Sequence, residues 1–346
     1  MTTRDYQRIA VEEAWAPEEL LLRYRRELES TSRSDPGFRS LWGFYGGDSD
    51  RATQLAKRLQ DLGERRLRDM DAAGIDRQLV FLTPPGVQIF SAPLATSLAA
   101  SCNDQLADGV RGAGGRLAGL AAVAPQDPAA AALELERAVT RLGLKGVVIN
   151  SHIQGEYLDD EKYWEIFAAA QALDVPLYLH PNTPSPGLIE PLLSRGLEVG
   201  MYGFAVETGL HALRIIVSGA LDRFPRLRIV LGHLGEGLPF WFDRLDYLHA
   251  INVRANRYPG VPPLQRKPSD YLRENFYYTT SGMPWEPVIS FVRSVVGTER
   301  VMYAMDYPYQ YVPQEVAEME RMPLNAGEKR AFFQTNAERV FALPAY

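Results

Sequence analysis

The feature that most limits how this chain can fold is an alternation repeated from residue 8 to residue 306: a short, almost uninterrupted apolar run, then a longer amphipathic stretch. Runs such as "RQLVFLT" (77–83), "KGVVIN" (145–150), "VPLYLH" (175–180) and "LRIVLGH" (227–233) read as strands buried on both faces, the pattern of a parallel sheet covered by helices. With Arg8 to Val11, "RLAGLAAV" (116–123), "FYYTT" (276–280) and "RVMYAMD" (300–306), they predict eight strands. Helices are predicted between them over 51–73, 94–112, 128–142, 160–173, 205–221, 236–254 and 285–297. Eight such units in 346 residues fit one closed (β/α)8 TIM barrel of the α/β class, a single domain. An open doubly wound sheet would carry a glycine-rich turn after its first strand, and "GAGG" (112–115) instead precedes a strand. The stretch from about 17 to 50 reads as an insertion after strand one, a loop with a short helix whose "LWGFY" suits a subunit contact. Helices from about 311 to 346 are expected to close the barrel.

In such barrels the C-terminal strand ends converge on one rim, which carries the active site. Here those ends are Glu12, Thr83, Asn150, His180, His233, Ser281 and Asp306. The first strand ends on two adjacent acids, in "QRIAVEEAWAP", and burying a carboxylate costs several kcal/mol unless something answers its charge. Glu12, His180 and Asp306 together offer two carboxylates and one imidazole, a set that suits one divalent cation with positions open for water and substrate. Singly, each has another reading: a strand-end histidine is often a hydrogen-bonded structural residue, and Asp306 in "YAMDYPYQ" also suits a cap of the next turn. Glu13 alternates to the other side of the strand, toward a backbone or arginine partner. In "LGHLGEGLPFWFDRLDY", Glu236 follows His233 closely enough to orient the imidazole and raise its basicity, or else sits at a helix start favoured by the dipole. Arg244 either reaches an anionic ligand or pairs with Asp243 or Asp246. His152 lies just past strand four, while His211 and His249 fall inside helices, where packing or a surface position is the commoner role.

Forty-three acidic against 37 basic residues, with no long basic run, argue against nucleic acid or an anionic membrane as partner. The first 15 residues lack the basic and apolar regions of a signal peptide, and no apolar stretch reaches membrane-spanning length, so a cytoplasmic protein is expected. Cys102 is the only cysteine, which excludes an intramolecular disulfide and a cysteine-rich metal site; it reads as a buried helix thiol.

At "VEEAWA", "NSHIQGEYLDD", "PLYLHPNTP", "GHLGEGLPF" and "YAMDYPYQ" the chain resembles the amidohydrolase superfamily, in its decarboxylase branch, along nearly its whole length. Within the branch, "SLWGFYGGDSDRATQ" and "MYAMDYPYQYV" are most similar to the 5-carboxyvanillate decarboxylases. The resemblance implies metal-dependent, non-oxidative decarboxylation of a hydroxylated aromatic acid, with 5-carboxyvanillate placed ahead of γ-resorcylate or 2,3-dihydroxybenzoate. A metal-dependent hydrolase of a lactone or amide and a binding protein without turnover are the rival readings. It further implies one divalent ion per subunit, Mn2+ ahead of Zn2+, held by Glu12, His180 and Asp306, and no organic cofactor. His233 and Glu236 become a catalytic pair beside Asp306, Arg51, Arg244 and Tyr309 substrate contacts, and Phe204 and Thr83 pocket walls. A homodimer or homotetramer is implied, with Arg51 reaching a neighbouring active site. Two departures matter. Many members carry His-x-His after strand one, whereas this chain reads Glu12-Glu13-Ala14 and loses a ligand at Ala14, leaving room for a mononuclear ion's water or substrate. No lysine ends strand four, where Asn150 stands, which disfavours a carbamate-bridged pair of ions.

Overall fold

Nearly every strand residue is buried on both faces, which is why these runs are apolar without alternation. The computed structural model describes residues 4–30 and 35–345. Its strands are β1 (Ile9–Trp15), β2 (Arg77–Leu82), β3 (Leu117–Gly119), β4 (Ala121–Ala122), β5 (Val147–Asn150), β6 (Leu177–His180), β7 (Ile229–Leu231), β8 (Phe276–Thr279) and β9 (Val301–Met302). Each pairs in parallel with the next within two ladders, β1 to β3 and β4 to β9. β3 and β4 are halves of one strand interrupted at Leu120, whose N–H still bonds the Val80 carbonyl at 2.9 Å. The ring closes where the Val11 N–H reaches the Tyr303 carbonyl at 3.2 Å, giving the eight-stranded barrel.

Val11, Leu79, Phe81, Val148, Val230 and Met302 fill the inside of the ring, and a larger apolar layer lies between strands and helices. Ala337, Val340, Phe341 and Leu343 join the inner cluster, so the C-terminal segment plugs one mouth and leaves the opposite, C-terminal mouth for chemistry. Strand β1 carries one extra residue: Ala10 pairs with Gln78 but Glu13 with Val80. Such a bulge re-aims side chains, and here it turns Glu12 inward and Glu13 outward.

Several expectations need correction. The insertion is not a loop with one short helix; it holds the helices Glu18–Glu29 and Pro36–Tyr45, the second capped by Asp35, which accepts the Phe38 N–H at 3.0 Å. Of its "LWGFY", Leu41 and Trp42 are buried and the Trp42 indole N–H donates to the Pro84 carbonyl at 3.0 Å, Tyr45 is half-buried, and Gly43 and Phe44 are exposed. The predicted helix 51–73 is two, Asp50–Leu59 and Glu64–Ala73, because Asp61 accepts the Gly63 N–H and makes a turn between them. The predicted helix 205–221 breaks at Gly219, with φ +80, into Gly203–Val217 and Ala220–Arg223. The predicted helix 236–254 becomes regular only at Phe242, after a run of left-handed residues from His233 to Gly237. The last strand stops at Met302 instead of reaching Asp306. Among the described residues, no helix is long and apolar enough to cross a membrane.

Candidate active site

A cavity of about 1200 Å3 opens at the C-terminal mouth, and its wall includes Arg51, His180, Phe204, His233, Glu236, Arg244, Asp306 and Tyr309. Glu12 lies against His180, almost wholly buried. Its Oε2 accepts hydrogen bonds from Tyr178 and, at 2.7 Å, from Thr279, whereas its buried Oε1 has no donor among the described residues. That oxygen stands 3.4 Å from His180 Nε2. His180 Nδ1 lies 2.9 Å from the Pro181 carbonyl, which can only accept; Nδ1 therefore carries the proton and Nε2 presents a lone pair. Burial pulls the His180 imidazole down to about 4 despite the opposing carboxylate of Glu12, so the ring is neutral near pH 7. Two lone pairs thus face each other in a space without a proton to share, a situation that a cation between them resolves. Gly232 keeps this space open, since a Cβ there would stand 2.7 Å from both Glu12 oxygens.

Asp306 follows β9, in the segment that lies beside β1 on the same rim, with a left-handed φ of +70. Burial pushes its carboxyl up to about 8; His233 opposes the shift, while Glu12, Glu315 and Glu236 add to it. Among the described residues no three acid, imidazole or thiol groups are already gathered at ligand spacing. The expected set is therefore brought together in part, Glu12 and His180 in contact and Asp306 within electrostatic reach of Glu12. Glu12, His180 and Asp306 would suit one divalent cation, whose charge would favour the ionised form of both carboxyls.

His233 and Glu236 do meet, His233 Nδ1 lying 2.8 Å from Glu236 Oε1. The contact is made by a left-handed turn and not by a helix start: φ is +47 at His233, +56 at Leu234, +85 at Gly235 and +55 at Glu236. Gly235 is required as well by the Tyr278 ring, 2.6 Å from where a Cβ would stand. Burial is the largest single influence on His233 and lowers it, yet Glu236, Glu12 and Asp306 together raise it to about 10. Non-glycine residues held at positive φ cost about 1–3 kcal/mol each and cluster at functional sites.

The remaining expected residues divide. Phe204 lines the cavity as anticipated. Thr83 does not; it is fully buried and its hydroxyl, 2.5 Å from the Tyr309 hydroxyl, holds that ring in place. Arg51, in the first turn of its helix, lines the cavity of its own chain beside Tyr45. Arg244 lines the same cavity and forms no ion pair with Asp243 or Asp246; Asp246 instead accepts from Ser269 at 2.6 Å. His152 does not approach the cavity wall: it clips two loops, Nδ1 accepting the Gly155 N–H and Nε2 donating to the Thr183 carbonyl. Ser151, His211 and Glu207 imitate a nucleophile triad, but His211 Nε2 already accepts the Leu158 N–H, so Nδ1 holds the proton and cannot deprotonate Ser151. Cys102 is a buried helix thiol that burial pushes up to about 12, an inert state.

Tyr178 and Thr279, which hold Glu12, and Tyr45, against which Tyr309 packs edge-on at 5.0 Å, were missed from sequence. Tyr178 had a signal, since a strand residue two before His180 shares its inward face.

Known proteins share this architecture. The amidohydrolase family model matches residues 42–343. A γ-resorcylate decarboxylase of a Polaromonas species is 36% identical over 298 residues, covering 84% of this chain and 90% of the relative. A 5-carboxyvanillate decarboxylase of Novosphingobium aromaticivorans, crystallised with manganese and 3-methoxy-4-hydroxy-5-nitrobenzoic acid, is 48% identical with a TM-score of 0.96, covering 98% of each chain. A dihydroxybenzoic acid decarboxylase of Polaromonas, with manganese and the inhibitor 2-nitroresorcinol, is 33% identical with a TM-score of 0.84, covering 99% of this chain and 98% of that one. With a barrel whose open mouth gathers Glu12, His180, His233 and Asp306, and with likeness spanning the chain, this protein belongs to the amidohydrolase family, in its decarboxylase branch.

Proposed function

We propose that the protein is a carboxy-lyase that releases CO2 from a hydroxylated aromatic acid without an oxidant, and that 5-carboxyvanillate is its substrate. The observation that carries this is the buried pair of facing lone pairs on Glu12 Oε1 and His180 Nε2, in the cavity of a chain similar over 98% of its length to a manganese-containing 5-carboxyvanillate decarboxylase. Glu12, His180 and Asp306 would hold one divalent cation, manganese in preference to zinc because two of the three donors are carboxylates. When bound, that ion supplies positive charge that orients an ortho-hydroxy acid and stabilises the negative charge developing on it.

The chain's own residues supply the rest. Arg51 and Arg244, both on the cavity wall, engage the anionic groups of the substrate as planar forks. Tyr309, steadied by Thr83 and Tyr45, and Phe204 bound the space the ring occupies. Decarboxylation cannot expel a bare aryl carbanion, so the ring carbon bearing the carboxylate is protonated first; the Asp306 carboxyl delivers that proton. The bond to the carboxylate then breaks, its electron pair returns to the ring and restores aromaticity, and CO2 departs. His233, held by Glu236 through Nδ1, turns Nε2 toward the substrate and exchanges the phenolic proton.

The reading includes a single catalytic domain acting in the cytoplasm as a dimer or tetramer. The exposed Phe240, Trp241 and Tyr247 beside the mouth support an assembly. The test is CO2 release from 5-carboxyvanillate, γ-resorcylate and 2,3-dihydroxybenzoate by manganese-loaded protein, with lactones and amides in parallel. CO2 appearing fastest from 5-carboxyvanillate is expected; hydrolysis of a lactone or amide with no CO2 from any aromatic acid would overturn the proposal.

A further inference from the structure

Glu13 adjoins Glu12 yet takes no part in the cavity. It is fully buried, and both its oxygens are engaged: Oε1 accepts the Met305 N–H at 3.0 Å, and Oε2 accepts the Tyr307 N–H at 3.0 Å and the Gln78 amide at 3.3 Å. Those two backbone groups belong to the residues on either side of Asp306. β9 has ended at Met302, so no regular ladder holds this segment; backbone bonds from the Val11 N–H to the Tyr303 carbonyl and from the Ala14 N–H to the Tyr307 carbonyl tie its two ends to β1.

Arg66 braces the arrangement from behind. It is wholly buried, donates to the Ala14 carbonyl at 2.7 Å, to Gln78 Oε1 at 3.1 Å and to the Asp61 carbonyl at 2.8 Å, and lies over the Tyr307 ring at 4.7 Å. Asp306 sits in left-handed backbone, a conformation that a residue with a Cβ keeps only when its surroundings over-determine it. A carboxylate bridging the amides before and after it is such a constraint.

We infer that Glu13 is a positioning residue for Asp306: by pinning the amides of Met305 and Tyr307 it holds the backbone that presents the Asp306 carboxyl to Glu12 and His233. Each acid of the Glu12-Glu13 pair then serves the same centre, one inside the barrel and one from the outer layer. The inference rests on the reading of Asp306 as metal ligand and proton source.

Glu13→Gln tests it, because the change keeps the volume and replaces one acceptor oxygen with an amide N–H that must face another N–H. Manganese affinity of the metal-free protein, measured by titration, is expected to weaken about 10- to 100-fold, the usual cost of removing a group that orients a ligand. Turnover is expected to fall with it while KM for the aromatic acid stays within about threefold. A variant that melts at lower temperature but binds manganese and turns over like wild type would reduce Glu13 to a structural role and overturn the inference. Should Glu13→Gln not fold, Gln78→Met removes the one side-chain donor to Glu13; weakened manganese binding supports the inference, and wild-type affinity there overturns it. Wild-type protein that takes up no manganese at all would instead sink the reading of Asp306 itself.

Discussion

The two faces of β1 at its C-terminal end carry adjacent, equally buried carboxylates in opposite states. On the outer face Glu13 has an N–H donor at each oxygen and a buried arginine close by. On the inner face Glu12 has two donors at one oxygen and, among the described residues, none at the other, which points at an unprotonated imidazole nitrogen. A buried charge is ordinarily satisfied, so the satisfied face is architecture and the unsatisfied one marks where something binds. Four of the nine non-glycine residues at positive φ among the described residues, His233, Leu234, Glu236 and Asp306, belong to the inner rim.

The largest expected effect breaks the inner face. Asp306→Asn removes the proton source and a ligand carboxylate while keeping the shape, and turnover should fall by about a thousandfold or more with the melting curve little changed. Steady-state CO2 release beside a thermal melt checks this, and near-normal rates would remove Asp306 from the chemistry. Breaking the outer face should show in stability first. Arg66→Leu leaves Glu13 without its cation and the Ala14 carbonyl without a donor, at a cost of about 3–5 kcal/mol in denaturant unfolding. A loss below about 1 kcal/mol would show that Glu13 needs no positive neighbour.

Glu315 sharpens the comparison through pH. It accepts the Tyr303 hydroxyl at 3.0 Å, has no partner for its second oxygen among the described residues, and is pushed by burial from 4.5 up to about 7. A folded-state value above the unfolded one means that the stabilising effect of the neutral form is complete below about pH 4.5 and is lost as pH rises through about 7. Glu315→Gln, which mimics the neutral acid, should therefore be more stable than wild type at pH 8 by about 1–3 kcal/mol and little different at pH 5. Equal unfolding curves at pH 8 would contradict the assignment. The smallest effect is expected at Thr83→Val: losing the partner of the Tyr309 hydroxyl is worth about 1 kcal/mol, a loss of roughly fivefold in kcat/KM.

Much of this was legible in the chain. Strands buried on both faces give continuous apolar runs that cannot be mistaken for exposed loops, and the polar residue ending each run marks the rim; Glu12, His180, His233 and Asp306 were found that way. What escaped depends on geometry that sequence period does not encode. The bulge between Ala10 and Glu13 decides which acid turns inward, and the left-handed turn from His233 to Gly237 carries no signal beyond its glycines. The insertion was read as a loop with one short helix, and its second helix ends just before the one that carries Arg51. The helix Asp50–Leu59 packs against β1, and Arg51 in its first turn lines the cavity. Thr83 was taken for a wall on the family resemblance, but a short side chain at a strand end can be covered by a longer one, here Tyr309.

The central claim is that Glu12, His180 and Asp306 share one divalent cation. Calorimetric titration of metal-free protein with Mn2+, wild type against Glu12→Gln, tests it most directly. One ion per chain in the wild type and binding weakened beyond detection in the variant is the result predicted; equal affinity in the two proteins would contradict it.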